Sequence, residues 1–558
     1  MAHLPKLTLQ ALFQNSVTLF ENEIALSFVD ENPLTYQEVN RQVCAISAAL
    51  RVRGLEKGDR VAILSENGPR WGMVYFAITT MGAVAVPILP DFHKSEVHHI
   101  IRNSGSKIVV TSSKLSHKLL DLDARDVEIV VAADDQPLNL DRFEVEQYED
   151  LLAGGEPKGK AKKHAKEAGI LEENDLAEIL YTSGTTGHSK GVMLTHKNLV
   201  SNAISATKMI GITPADRLLS ILPMPHVYEC TCGFMLPFMM GSKVYYIKGL
   251  PTAQTLLPAV EKIKPTVILS VPLIMDKIYK KKVLGEINAK AVSKILYKFS
   301  PTHKLINKVA GKKLFHAFGG ELRFMVFGGA ATPVEVEEFL TEGGFPYITG
   351  YGLTEASPIL TVNPPGKVKQ QSAGVIVPEV RLRIDDPDPE TGIGEIVATG
   401  PNIMQGYYRN EEATKKSFTE DGWLITGDRG YLDEDGYLFI KGRSKNIIVG
   451  PSGENIYPEE IEFHLSHSPF VMESLVYEQD SKIIARVHLD YDAIDKEFGT
   501  STKDAAEASN KVQQILEDIR KEVNGKVASY SRIHRIIEQP EEFEKTPTKK
   551  IKRYLYTT

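Results

Sequence analysis

The sequence predicts an α/β protein in two parts, a large N-terminal domain over residues 1–442 and a small α+β domain over residues 443–558. Three observations predict it. Segments of helical period alternate with short apolar runs through most of the chain, which is the pattern of strands covered by helices. At 558 residues, with 42% hydrophobic and 25% charged residues, the chain is too long for one ordinary core and too apolar for disorder. The pattern then changes twice, to short strands split by Gly and Asp turns near residue 394 and to charged helices mixed with strands from residue 443.

Taken in order, YQEVNRQVCAISAALRVRG reads as a helix, and RVAIL, AVAVPI and KIVVTS read as buried strands. Residues 71–90 carry no charge and are long enough to span a bilayer. Gly82, Pro87, Pro90 and the small and β-branched residues of GAVAVPI instead predict a buried helix followed by a strand. Residues 154–169, GGEPKGKAKKHAKEAG, lose their apolar positions and read as a surface connection. Beyond it AEILYT and GVMLTH read as strands, KNLVSNAISATKMIG as a helix, and RLLSILP, KVYYI, TVILSV and LRFMVFGGA continue the alternation. EIVATG, DGYLFI and KNIIV make a β-rich section, and SLVYEQ and KIIARVHLD accompany the charged helix KDAAEASNKVQQILEDIRKEVNG. There is no internal repeat and no heptad run.

Composition narrows the function. Lys and Arg total 65 against 72 Asp and Glu, a formal charge of −7, so composition gives no sign of a nucleic-acid partner. Cys44, Cys230 and Cys232 cannot form a disulfide framework and suit a reducing compartment, so a cytoplasmic location is predicted. The opening MAHLPKLTLQALFQ shows neither an apolar signal core nor a small-residue cleavage site. Cys230 and Cys232 lack the companion ligands of a zinc site and read as core residues.

The strongest local signal is YTSGTTGHSKG at residues 181–191, directly after a predicted strand. The hydroxyls of Thr182, Ser183, Thr185 and Thr186, with Gly184, Gly187 and Gly191, allow a loop whose N–H and O–H groups converge on phosphate oxygens, and Lys190 adds charge. The spacing is not that of a Walker A loop, which disfavours ordinary P-loop hydrolysis. Further motifs follow in order: PMPHVYE, FGGAATP, GYGLTEASP, TGD, GRSKNIIVGPSGENIYPEEIE and KTPTKKIKR. Across nearly its whole length the chain resembles the adenylate-forming (ANL) superfamily, and within it the AMP-forming long-chain fatty acyl-CoA synthetases.

That resemblance implies parallel sheets with flanking helices, a distorted β-barrel subdomain and a small mobile C-terminal domain. It implies ATP, Mg²⁺ and coenzyme A as cofactors, with a fatty acid converted through an acyl-adenylate to a thioester. An acyl-carrier protein is the alternative acceptor, and a catalytically silent nucleotide- or acyl-binding protein the alternative class. By the same resemblance Thr182, Ser183, Gly184, Thr185, Thr186, Gly187 and Lys190 hold the β- and γ-phosphates. Thr354 touches the α-phosphate, and Glu355 holds Mg²⁺, for which a carboxylate is the right hard ligand. Tyr351 and Gly352, with Gly328, Gly329 and Ala330, surround the adenine. Asp428 accepts from the ribose hydroxyls beside Arg443. Lys550 is the cation that crosses from the small domain, chosen over Lys549 because Ile551 fixes the register.

Lys445 occupies the hinge position, where relatives carry Asp or Lys, and Gly453, Glu454 and Asn455 border the coenzyme A path. His226, Phe234 and Met235 are acyl-pocket candidates, although Phe234 and Met235 at helical spacing also read as core. An apolar substrate implies peripheral contact with the inner face of a membrane without a spanning segment. Ser189 and Lys549 depart from the proline and glycine common in relatives; nothing in the sequence assigns a consequence.

Overall fold

The computed structural model describes residues 4–154, 170–182, 189–249, 251–289, 296–297, 300–449, 454–499, 505–546 and 550–557. Two sheets organise most of these. In an eight-stranded sheet Arg60–Leu64 lies between Val84–Pro87 and Ile108–Thr111, all parallel, and Leu176–Thr182 pairs parallel to Val84–Pro87. The next strand, Lys190–Thr195, returns antiparallel. In a nine-stranded sheet Phe324–Phe327 lies between Val267–Ser270 and Tyr347–Gly352, again parallel, before Ile359–Val362 folds back antiparallel. Strands covered on both faces need no polar side, which is why Val84–Pro87, Ile108–Thr111 and Phe324–Phe327 are uniformly buried and read as unbroken apolar runs.

The uncharged stretch at residues 71–90 is the helix Pro69–Thr80 followed by Val84–Pro87, as its Gly and Pro content predicts. The helix is apolar all round because it is packed all round. No helix among the described residues is long and apolar enough to cross a membrane.

The helix His196–Ile210 ties the two sheets together. Thr195 caps it, with Asn198 returning a bond to the Thr195 N–H at 2.8 Å, and Gly211 ends it at φ 62°. Its inner polar side chains reach outward to fix loops: Asn198 Nδ2 donates to the carbonyls of Pro401 and Ile403 at 2.8 Å, and Asn202 Nδ2 to that of Ile359 at 2.8 Å. One apolar core accordingly holds residues of both sheets, including Val61, Ile63, Leu218 and Val267.

A four-stranded antiparallel sheet follows, made of Arg381–Asp385, Gly394–Thr399, Leu424–Leu432 and Leu438–Arg443. A single bridge between Val375 and Tyr437 joins it to the nine-stranded sheet. The remaining chain builds its own core from Ile448, Ile461, Val487, Leu516 and Ile536 among others, under a sheet of Val471–Gln479, Lys482–Leu489 and Arg535–Glu538. The large body and the small lobe thus have separate cores, and one short segment, Ser444–Asn446, leads from one to the other.

Glu178 and Glu229 are two of the carboxylates buried in the large body. Glu229 opens a stretch of wide π-turns, Glu229–Met235, and accepts from Ser220 Oγ at 2.6 Å; Glu178 accepts from the Tyr75 hydroxyl at 2.9 Å. Gly233 makes room, since a Cβ there would sit 2.6 Å from the Glu229 carboxyl. Burial pushes both carboxyls up to about 8, so the folded protein holds protons that the unfolded chain releases near pH 4.5. Their contribution to stability therefore falls as pH rises from about 4.5 to about 8 and is flat above. Glu229→Gln keeps the shape and removes that proton. The expected outcome is a melting temperature raised by several degrees at pH 8.5 and unchanged at pH 5, read by calorimetry; a lower value at pH 8.5 would contradict it.

Candidate active site

The C-terminal ends of parallel strands converge on one crevice, the usual place for a ligand in an α/β protein. Arg217–Ser220 leads to His226, Phe324–Phe327 to Gly328, Gly329 and Ala330, and Tyr347–Gly352 to Thr354 and Glu355. Gly328 needs its hydrogen side chain, because a Cβ would press to 3.2 Å from the ring of Tyr228, whose hydroxyl donates to the Val326 carbonyl at 3.1 Å. Gly352 is tighter still. A Cβ there would fall 1.8 Å from the carbonyl oxygen of Pro358, so any larger residue opens the turn that carries Thr354 and Glu355.

Asp428 lies near the centre. It is buried, and register across the antiparallel sheet sets Arg443 opposite it, so that Arg443 Nε meets Oδ1 at 2.8 Å. The Tyr351 hydroxyl donates to Oδ2 at 2.7 Å. Burial raises the Asp428 carboxyl above the usual range; the Arg443 cation and the Tyr351 hydrogen bond pull the other way.

The small lobe brings Lys550 to this carboxylate. Its backbone pairs with the chain just before it: the Thr546 N–H donates to the Lys550 carbonyl at 2.7 Å, the Lys550 N–H to Thr546 Oγ1 at 3.2 Å, and Lys545 bridges Ile551. Arg553 anchors the segment that follows, with Nη2 on Glu462 at 2.5 Å and Nη1 on the Val476 carbonyl at 3.1 Å. Solvent reaches Lys550, yet protein atoms crowd it from both lobes, and that desolvation holds its ammonium below the usual lysine range. Arg443 pushes in the same direction, while Asp428 and Glu355 favour the charged form. His226 feels the same cation: burial first, then Lys550, lower it to about 4, so it is neutral at pH 7.

A second group forms around Glu355. The Tyr407 hydroxyl donates to Glu355 Oε1 at 2.7 Å, and Lys190 Nζ stands 5.2 Å from the centre of the Tyr407 ring. Thr182 faces Lys190 across the hairpin. Ser183, Gly184, Thr185, Thr186 and Gly187, which complete the predicted phosphate loop, lie outside the described residues, as does Gly453. Tyr407 is absent from the sequence reading; GYYRN carries no chemical signature, and only its pairing beside Lys190–Thr195 brings the ring to Glu355.

Around Lys445 the chain is held by one lobe on each side. Ser444 Oγ donates to Glu395 of the large body, and Asn446 Nδ2 to Glu459 of the small lobe at 2.5 Å, while Lys445 itself is exposed. Glu454 and Asn455 follow on the hairpin of Ile448–Val449 with Asn455–Ile456.

A closed apolar cavity lies between Ala206, Ile210, Tyr228, Cys232, Leu269 and Val326, beside the Gly328 turn. The acyl-pocket candidates His226, Phe234 and Met235 are all absent from its lining. Phe234 packs on Phe76 at 4.8 Å and edge-on to Trp71 and Tyr75, and Met235 is fully buried, so both belong to the core. Their helical spacing already reads as core, and the segment Glu229–Met235 that carries them is buried throughout.

The donor set suits a nucleotide and a divalent cation: a hard carboxylate oxygen at Glu355, a two-oxygen acceptor at Asp428, small residues at 328–330, and the cations Lys190, Arg443 and Lys550. Known proteins are similar to this chain over most of its length. The family model described as "AMP-binding enzyme" matches residues 13–408. A long-chain-fatty-acid–CoA ligase of Mycobacterium bovis is 31% identical over 93% of this chain and 90% of its own length. One from Bacillus subtilis is 30% identical over 85% and 83%. The crystal structure of the anthranilate CoA ligase AuaEII in complex with anthranoyl-AMP superposes with a TM-score of 0.78 at 22% identity, covering 98% of this chain and 96% of that one.

Because Asp428 favours the charged form of Lys550, removing its charge must lower the lysine further. In Asp428→Asn the expected outcome is a titration of Lys550 at lower pH than in the parent, read by NMR of the ¹³C-dimethylated protein with Lys550→Arg assigning the peak; an unchanged or raised value would contradict it.

Proposed function

Since the chain belongs to the AMP-binding enzyme family and is an adenylate-forming CoA ligase, we propose that it activates long-chain fatty acids and transfers them to coenzyme A. The observation that carries the site assignment is the convergence of Lys550 from the small lobe with Asp428 and Glu355 of the large body. The long-chain assignment is supported by the relatives at 30–31% identity.

A carboxylate is a poor electrophile and repels nucleophiles, so the acid must first acquire a leaving group. Its oxygen forms a bond to the α-phosphorus of ATP while the bond to the β,γ-pyrophosphate breaks, and negative charge gathers on the α-phosphate oxygens. Lys550 offsets that charge, with Thr354 donating to the same phosphate. Thr182 and Lys190, with the loop between them, hold the departing pyrophosphate. Asp428 fixes the ribose, for which it exchanges part of its present bonding to Tyr351 and Arg443. The ring of Tyr351 and the turn at residues 328–330 border the adenine. Glu355, kept in place by Tyr407, would hold the magnesium ion, which when bound neutralises phosphate charge.

In the second step the coenzyme A sulfur attacks the acyl carbon and AMP leaves. A thiol cannot approach along the path that Lys550 fills, so rotation at Lys445 withdraws the lysine and turns the segment of Glu454 and Asn455 toward the site. The Ser444 and Asn446 anchors on either side confine that rotation to one residue.

Lys550→Ala is expected to reduce acid-dependent pyrophosphate exchange by about 100- to 1,000-fold, the scale for losing a preorganised charge. Thioester formation from a supplied acyl-adenylate should change far less; equal loss in both steps would contradict the assignment. A panel of acids of graded length, offered with coenzyme A or an acyl-carrier protein, is expected to give thioester best with long chains and coenzyme A. Turnover confined to aromatic or short acids, or to the carrier protein, would overturn the substrate reading.

A further inference from the structure

Residues 277–313 hold eleven lysines and a single carboxylate, Glu286, in a chain whose formal charge is −7. The helix Ser300–Ala317 shows how they are arranged. Its inner side is pressed into the large body: Asn307, Gly311 and Leu314 are buried, and a Cβ on Gly311 would strike the Gly343 carbonyl at 2.4 Å. Its outer side carries Lys304, Lys308 and Lys312 at four-residue spacing, all exposed, and beside them Leu305 and Val309, which are 63% and 55% exposed. Among the described residues none of these three lysines has a carboxylate within 4.0 Å. The preceding helical segment lies alongside, fixed by Lys313 to Glu286 at 3.5 Å and by hydrogen bonds from Tyr297 to Tyr279 and Asn307 at 3.2 and 3.0 Å. It adds Lys281 and Lys282, also exposed.

We propose that this face docks the enzyme on an anionic lipid bilayer. A row of cations alone would fit any polyanion, including a nucleic acid. Two large aliphatic side chains interleaved with that row gain nothing from phosphates but do gain from burial at the headgroup–acyl boundary. Between Lys304 and Lys312 the stripe carries no aromatic side chain on which a base could stack; the exposed His316 follows one turn beyond. The role of the surface rests on the long-chain reading above, since an acid of that kind is stored in the same bilayer. The binding itself can be measured without any substrate, so a failure of one is distinguishable from a failure of the other.

The test is sedimentation of the full-length protein with vesicles of phosphatidylcholine alone and of phosphatidylcholine with phosphatidylglycerol. Binding to the anionic vesicles only, weakened by 0.5 M salt on the order of its several charges, is expected. A lysine near an anionic surface contributes roughly five-fold to partitioning, so the triple variant K304Q/K308Q/K312Q should bind about 100-fold more weakly. L305S/V309S should lose the part of binding that survives high salt. Unchanged melting temperatures and unchanged turnover of a soluble medium-chain acid show that the variants are folded. Equal binding to both vesicles, or a triple variant that binds like the parent, overturns the proposal. So does lysine-dependent binding to single-stranded RNA without vesicle binding.

Discussion

A buried carboxylate that is to stay charged has to be paired, and in this protein the carboxylate that three separated stretches of chain answer to is Asp428. Tyr351 arrives at the end of a parallel strand, Arg443 in register on the neighbouring antiparallel strand, and Lys550 more than a hundred residues later on another lobe. Burial alone would drive Asp428 toward neutrality; the surrounding donors and cations oppose that. The same groups are what a nucleotide would need, because donors that stabilise a buried anion also stabilise phosphate charge and locate a ribose. The site is thus held together by an interaction that its ligand can take over.

The second constraint is mechanical. In the proposed two-step reaction Lys550 would be present in one step and gone in the next, which a place in the large core would not allow. The structure separates the small lobe's core from that of the large body and joins the two at a short segment with one exposed residue between two anchored ones. Arg553 on Glu462 ties the segment that follows Lys550 to its own lobe. Burial pushes the Glu462 carboxyl up to about 7 even with Arg553 beside it, a sign of how enclosed that anchor is.

Much of this was legible in the sequence, and for identifiable reasons. Parallel strands buried on both faces read as apolar runs, so RVAIL, AVAVPI, KIVVTS, TVILSV and LRFMVFGGA were visible, as were the helix KNLVSNAISATKMIG and the helix–strand nature of residues 71–90; Ile24–Phe28, Ile129–Ala132 and Tyr347–Gly352 were not read as strands. Motifs that keep their order along the chain named the family, and with it Asp428, Glu355 and Lys550. What pattern alone could not give is contact between distant elements. Tyr407 supports Glu355 only because a two-residue strand pairs beside Lys190–Thr195, and Glu395 and Glu459 become hinge anchors only in three dimensions. For Phe234 and Met235 the spacing and the resemblance pointed different ways, to core and to an acyl pocket, and both side chains are buried in the core beside Phe76 and Tyr75.

The most direct measurement is a crystal structure with a non-hydrolysable acyl-adenylate mimic. The predicted result is the mimic's phosphate-equivalent group about 3 Å from the Lys550 ammonium and the Thr354 hydroxyl, both ribose hydroxyls on Asp428, and the acyl chain entering past Tyr228. A mimic seated anywhere else, or one bound here with Lys550 turned away and Asp428 still closed on Tyr351 and Arg443 alone, would contradict it.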